Sequence, residues 1–311
     1  MKFPELSYAD PSDPPLKKWT IRVLERLSGR NYFVPLYERW RVEDAPYKER
    51  AIGSMLRYID VDLDIASGQW PPPSLSPELL DKPLVIVANH PYGILDGIAV
   101  LSLAEKLGRP FKVLIHKDLM KVPEIRPYCL PVNFEETREA LAQNMETRRQ
   151  ALRDLADGHT IVIFPGGGVA TADKPFGTAR ELPWKTFTAK LIQSSKASII
   201  PMYFEGQCGP LFHIVSRFSL TMRTGLLISE LRRQVESTLK VHIGDVVPFE
   251  GLTAQRDRLA MIKELYDRVH DLAPASALRR RRFRRPRFLQ RRARRRAAAA
   301  ASTGRDWKDA A

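Results

Sequence analysis

The sequence predicts an α/β layer architecture, a largely buried sheet flanked by helices, with a basic tail behind it. Three observations lead there. Short apolar runs of strand length alternate with amphipathic segments of helical length from residue 84 to residue 271. The runs, LVIVAN (84–89) above all, are apolar almost throughout, as strands covered on both faces are. The charge is uneven: residues 279–296, RRRRFRRPRFLQRRARRR, hold twelve arginines and no acid. Those twelve belong to a formal net charge of +14, so everything else carries only +2.

Taken in order, residues 15–28 place Leu16, Trp19, Val23, Leu24 and Leu27 at helical spacing with basic residues between them, and Gly29 is a natural stop. An aromatic-rich segment, NYFVPLYERW, precedes a helix expected around 46–58. Residues 1–67 thus read as an N-terminal helical region, and the Pro-rich 68–83 as a connector. Beyond it lie expected strands at 84–89, 111–116, 160–165, 198–204 and 239–244. Helices are expected at 97–107, 135–157, 183–195, 222–236 and 254–271, the second ending at Asp157-Gly158. These elements make one α/β domain, 84–273, and the Arg/Ala-rich 274–311 is expected to be disordered when free.

Composition narrows the function classes. The 311 residues are 44% hydrophobic and 28% charged, with mean hydropathy −0.29. No stretch approaches the roughly 18–20 apolar residues of a membrane span, and the start, MKFPELSYADPSDPP, lacks a secretory signal's basic start and apolar core. Cys129 and Cys208 stand far apart without metal-type spacing, which fits a reducing cytoplasmic setting and gives no reason to expect a bound metal.

The chemistry concentrates in VANHPYGILDG. His90 follows an apolar strand, and sites in open α/β sheets lie at strand C-terminal ends. Asp96 opens the next helix. On a continuous helix the two side chains would diverge, but Pro91 and Gly93 impose a turn that can fold Asp96 back to the imidazole. A neutral imidazole can take a hydroxyl's proton as that hydroxyl attacks a carbonyl, and a carboxylate can fix its tautomer. Spacing alone leaves two readings open: this dyad, or an Asp96 that only caps its helix beside a His90 bonded to a backbone carbonyl.

Here the sequence resembles the lysophospholipid acyltransferases, which include glycerol-phosphate and acylglycerol-phosphate acyltransferases. Their first block is a histidine, four residues and an aspartate, commonly after Asn. NHPYGILD, with Asn89 and five intervening residues, is similar to a longer form found in a bacterial branch of haemolysin-labelled proteins and ornithine-lipid O-acyltransferases. LPWKTFTAKLIQSSKASIIPMYFEGQCGPLFHIVSRFS and LKVHIGDVVPF resemble later blocks of that branch, so the likeness covers about 80–250 and, more faintly, the N-terminal segment. The resemblance implies a mixed, mostly parallel central sheet of the glycerolphosphate acyltransferase type. It also implies an O-acyltransferase that moves a fatty acyl group from acyl-CoA or acyl-carrier protein, bound as substrate with no resident cofactor, to a lysolipid hydroxyl. His90 would be the general base and Asp96 its orienting acid, with Asn89 and Gly93 beside the substrate.

Two blocks depart from the family. Where Phe-Pro-Glu-Gly-Thr-Arg-Ser is usual, the chain keeps Phe164 and Pro165 but continues Gly166-Gly167-Gly168. Consecutive glycines after a strand let amides approach a phosphate or an oxyanion, or form no more than a flexible turn. No P-loop Gly-Lys-Ser/Thr follows. Where glycerol-phosphate enzymes carry a phosphate-holding arginine, this chain has Asn133 and Phe134, with Arg138 a few residues later. An Asn cannot replace that charge, which shifts the expected acceptor from glycerol 3-phosphate to another lysolipid. His116, ending its strand beside Lys117 and Asp118, is a further candidate for the same face, whereas Trp184, Phe187 and Leu191 at helical spacing read as core.

The expected partner of the basic tail is an anionic membrane surface on the inner face of the cytoplasmic membrane, contacted by Arg279, Arg280, Arg281, Arg282, Arg284 and Arg285 and by Trp19 near the N-terminus. Nucleic acid is less favoured because no recognition module accompanies the arginines. The alternatives are a catalytically inactive lipid-surface protein of the same fold and nucleic-acid binding through the tail. Acceptor, donor carrier and oligomeric state stay open.

Overall fold

The five residues LVIVA form β2 (Leu84–Ala88), a strand buried at every position and central to the molecule. The computed structural model describes residues 6–7, 14–27, 29–47, 49–133, 137–218 and 220–275, which belong to one compact unit. Around β2 lie β1 (Val61–Ser67), β3 (Phe111–His116), β4 (Cys129–Val132), β5 (Thr160–Ile163), β6 (Ser198–Phe204) and β7 (Ser237–Ile243). They form a seven-stranded sheet in the order β1-β7-β6-β2-β5-β3-β4. Every neighbouring pair is parallel except β6–β7, which is antiparallel. The sheet is therefore mixed and mostly parallel, as expected.

Alternation along β2 divides the core into two layers, because successive side chains point to opposite faces. Leu84, Ile86 and Ala88 pack on the face covered by α3 (Ala51–Tyr58) and α5 (Ile94–Glu105), among Ile52, Leu56, Ala99 and Leu103. Val85 and Val87 face α6 (Arg138–Ala156), α7 (Thr186–Ser195) and α10 (Arg258–His270), among Leu155, Leu191, Ile192 and Leu265. The remaining helices are α1 (Pro15–Leu27), α2 (Arg30–Glu43), the single turn α4 (Pro77–Leu80), α8 (Pro210–Val215) and α9 (Leu220–Gln234).

All five expected strands form, and the two that the sequence reading missed are the edges. In β1 aspartates alternate with apolar residues and only Val61 is buried, so the apolar run that marks a covered strand is absent. β4 is four residues long and carries Pro131, which an edge strand tolerates. Because β1 pairs with β7, residues 1–67 are not wholly helical, and the Pro-rich 68–83 joins two strands of one sheet. The aromatic segment 31–40 lies within α2. Thr137 caps α6 by accepting the Ala140 amide at 3.1 Å, which moves that helix's start from the expected 135 to 138.

Candidate active site

Strands β6, β2, β5, β3 and β4 run the same way, so their C-terminal ends share one edge of the sheet. The segments leaving β2 and β5 converge there. His90 stands two residues past β2, and α5 begins at Ile94, three residues earlier than expected, with Gly93 as its N-cap. Asp96 thus lies inside the first turn, where the helix dipole favours a carboxylate, and it makes no cap. Its Oδ2 lies 2.8 Å from His90 Nδ1. Asp96 is fully buried, and its Oδ1 has no hydrogen-bond partner among the described residues. The His90 side chain keeps 17% of its surface exposed, so the imidazole reaches solvent while its partner does not.

Gly93 makes the turn possible. Its φ is +85° and ψ −91°, a conformation side chains rarely adopt. A Cβ there would lie 2.9 Å from Val169 Cγ2 and 3.0 Å from Leu227 Cδ2. Beyond β5, Phe164 stacks on the imidazole at a centroid distance of 4.1 Å. The chain then turns through the glycine tract. Gly167 (φ +68°) donates its amide to the Phe164 carbonyl at 2.9 Å, so that amide is taken up within the turn itself. Pro165 accepts the Lys185 amide through its carbonyl at 2.9 Å, which fixes the start of the tract.

Asn89, by contrast, serves the sheet. Its buried amide donates to the Phe204 carbonyl (2.9 Å) and accepts from the Phe204 N–H (2.6 Å), tying β2 to β6. Asn133 is buried beyond β4, where it bonds Gln143 and Asn144 of α6 at 2.7–3.2 Å. β4 is three strands from β2, about 14 Å at the usual strand spacing. Arg138, the exposed first residue of α6, shares that distal position. His116 ends β3, one strand nearer. Trp184 and Leu191 are buried in the core as expected.

Two side chains that the sequence reading did not single out reach the site. The half-buried Arg223 of α9 donates to the Val169 carbonyl at 2.5 Å and lies over the Phe212 ring. A Cβ at Gly168 would be 3.5 Å from its guanidinium, so it stands beside the glycine tract. Burial lowers its pKa, and none of its hydrogen bonds goes to a carboxylate among the described residues. Glu181 accepts the His90 backbone N–H on Oε1 and the Trp184 indole N–H on Oε2, both at 2.9 Å. Burial pushes its carboxyl up to about 7, against the opposing pull of those two donors. Nothing local marks Glu181, because its partner His90 is 91 residues away.

The other histidines also find partners only in the fold. Buried His242 lies between Ser67 Oγ (2.7 Å) and Glu205 Oε1 (2.9 Å), joining β1, β7 and the end of β6. His270 Nε2 is 3.5 Å from Glu181 Oε2. Both cysteines are buried, and burial pushes Cys129 up to about 12 and Cys208 higher, which keeps both thiols protonated. Trp19 is 64% exposed on α1. Arg279, Arg280, Arg281, Arg282, Arg284 and Arg285 lie outside the described residues. Among the described residues no helix is long and apolar enough to cross a membrane, and no group of His, Cys, Asp and Glu is arranged to hold a metal.

A mixed, mostly parallel sheet with a His–Asp pair at the C-terminal end of its central strand defines an α/β protein whose polar site lies at the carboxyl edge of the sheet. The family model described as acyltransferase matches residues 78–238, more than half of the chain. The chain therefore belongs to the acyltransferase family. Its fold is similar to that of the 1-acyl-sn-glycerophosphate acyltransferase PlsC from Thermotoga maritima, with a TM-score of 0.50 and 14% identity over 86% of this chain and 100% of that one. No curated protein matches the sequence.

Proposed function

We propose that this acyltransferase moves a fatty acyl group from an acyl thioester, acyl-CoA or acyl-carrier protein, to the hydroxyl of a lysolipid. The observation that carries this reading is the 2.8 Å contact between His90 Nδ1 and a fully buried Asp96. Asp96 accepts the hydrogen bond of Nδ1–H, so the ring's lone pair is left on Nε2, where it can accept the hydroxyl proton. The hydroxyl oxygen attacks the thioester carbonyl as its proton passes to Nε2. Collapse of the tetrahedral adduct expels the thiolate, which takes the proton back. Asp96 holds the ring and stabilises the transient imidazolium. Phe164 packs against the ring face and limits its rotation. The amides of Gly166 and Gly168 are the candidates for the developing oxyanion.

Arg223 supplies the positive charge that the Asn133 position lacks. Its guanidinium beside Gly168 is suited to an anionic headgroup carried by a lysolipid larger than glycerol 3-phosphate. An ornithine-type lysolipid, whose headgroup carries a carboxylate beside an ammonium, belongs in the acceptor panel because of that carboxylate. Docking on an anionic membrane surface, with Trp19 and the Arg-rich tail as contacts, would bring the enzyme to an acceptor that resides in the bilayer.

The test is transfer from labelled palmitoyl-CoA and acyl-carrier protein to a panel of lysolipids by the wild type and His90→Ala. Transfer that disappears in the variant supports the reading. Equal transfer by both proteins removes His90 from the mechanism, and no transfer by either favours an inactive lipid-surface protein.

A further inference from the structure

His90 lies beyond Ala88, the last residue of β2 paired in the sheet, so its own peptide groups have no strand partner. Both are nevertheless taken. The carbonyl accepts the Ala170 N–H at 2.8 Å, and the N–H donates to Glu181 Oε1 at 2.9 Å. Ala170 and Glu181 flank the base of a short antiparallel ribbon, where Thr171 and Arg180 exchange main-chain hydrogen bonds of 3.0 and 2.8 Å. The ribbon base thus closes on the main chain of a single residue, and a side chain forms one half of the clasp.

That side chain is itself anchored. Glu181 Oε2 accepts from the buried Trp184 indole and faces His270 at the end of α10. The glycine tract lets this segment come close, since a Cβ at Gly166 would stand 3.2 Å from the Leu182 carbonyl and 3.7 Å from Trp184 Cδ1. The titratable groups facing the carboxylate are His90 and Asp96 from the β2–α5 turn, Tyr203 from β6, and Tyr266 and His270 from α10.

We propose that Glu181 is a positioning residue for His90: its anchored carboxyl group clamps the His90 main chain, so that the imidazole keeps Nδ1 on Asp96 and Nε2 toward substrate. With Oε2 held by the Trp184 indole, Oε1 stays aimed at the His90 N–H. Main chain held on both sides of its Cα restrains the ring from shifting along the edge of the sheet. The inference rests on reading His90 as the base, but the clamp can be observed without any turnover.

The experiment uses the full chain, Glu181→Ala and the double variant Glu181→Gln/Trp184→Phe. Gln keeps an acceptor for the His90 N–H, and removing the indole N–H prevents two donors from meeting where Glu181 Oε2 now accepts. One readout is amide hydrogen exchange at His90, with Ile86 inside β2 as the internal reference. The other is kcat and KM for transfer from palmitoyl-CoA to lysophosphatidic acid as probe acceptor.

In Glu181→Ala, exchange at His90 should rise by about tenfold or more with Ile86 unchanged. Its kcat should fall by about tenfold or more with KM nearly constant, since small misplacements of a reacting group are costly. The double variant should recover most of both. Unchanged exchange at His90 in Glu181→Ala overturns the proposal, as does a double variant no better than Glu181→Ala or a parallel loss of protection in β2. A wild type that transfers nothing to the probe counts against the acceptor and the functional reading, and the exchange data then decide the clamp alone.

Discussion

Gly93 and Gly97 are four residues apart, and replacing each by alanine should change stability in opposite directions. At Gly93 the backbone sits at φ +85° and ψ −91°, where a side chain costs roughly 1–3 kcal/mol. The new Cβ would also meet Val169 Cγ2 at 2.9 Å and Leu227 Cδ2 at 3.0 Å, and such overpacking costs roughly 1–3 kcal/mol more. The expected loss is therefore about 2–6 kcal/mol, or a fall in Tm of roughly 5–20 °C for a domain of this size. At Gly97, inside α5, a Cβ has nothing within 4 Å, so alanine should stabilise by roughly 0.5–1 kcal/mol through helix propensity. Thermal and urea unfolding followed by tryptophan fluorescence measure both. Gly93 also sets the turn between His90 and Asp96, and a displacement of about 1 Å between them can cost roughly 10²-fold in kcat. Destabilisation of similar size at both positions, or a Gly93→Ala chain that melts with the wild type, refutes the turn geometry described above.

Asp96→Asn should lower kcat by roughly 10²–10⁴-fold, the usual worth of general-base catalysis, with a folded chain and a nearly unchanged KM; retention of more than a fifth of wild-type kcat would contradict the dyad. Arg223→Met should raise KM by roughly 10–100-fold for a phosphate- or carboxylate-bearing lysolipid and much less for an uncharged acceptor, and an equal effect on both acceptors removes Arg223 from headgroup binding. The Glu181 carboxyl, pushed up to about 7 by burial from an ordinary 4.5, holds its proton more tightly folded than unfolded. Its neutral form therefore favours the fold below about pH 4.5, and that contribution is lost as pH rises through about 7. Unfolding free energy of the wild type relative to Glu181→Gln should thus fall by roughly 3 kcal/mol at most between pH 4.5 and pH 8. A difference that stays flat across that range shows that the carboxyl is not held neutral by burial.

Much of the architecture is legible in the chain because apolar length and alternation are local properties. LVIVA marks a strand covered on both faces before any partner is known, and the amphipathic helices report which side faces the sheet. The edge strands escaped for a related reason: β1 buries only Val61, and β4 is four residues long with Pro131 inside it, so neither carries a long apolar run. His90 and Asp96 were visible as a pair because a six-residue turn with Pro91 and Gly93 spans the whole interaction. Sequence could not choose between a cap and an orienting acid. The start of α5 at Ile94 rules out the cap, by placing Asp96 inside the first turn with its Oδ2 2.8 Å from His90 Nδ1.

The remainder of the site is non-local. Phe164 meets His90 only because β5 lies beside β2, and Arg223 reaches the glycine tract only because α9 packs against it. The resemblance set Asn89 beside the substrate, yet strand pairing turns its amide onto Phe204. Glu181, flanked by nothing of chemical note, becomes half of the clasp on His90 once the 170–181 ribbon folds. By itself the sequence determined the layered sheet, the turn and the dyad's members, since each depends on neighbours along the chain. Only the tertiary structure decided which polar groups surround that dyad, because hydrogen bonds across 91 residues depend on how strands are ordered and leave no periodic trace in sequence.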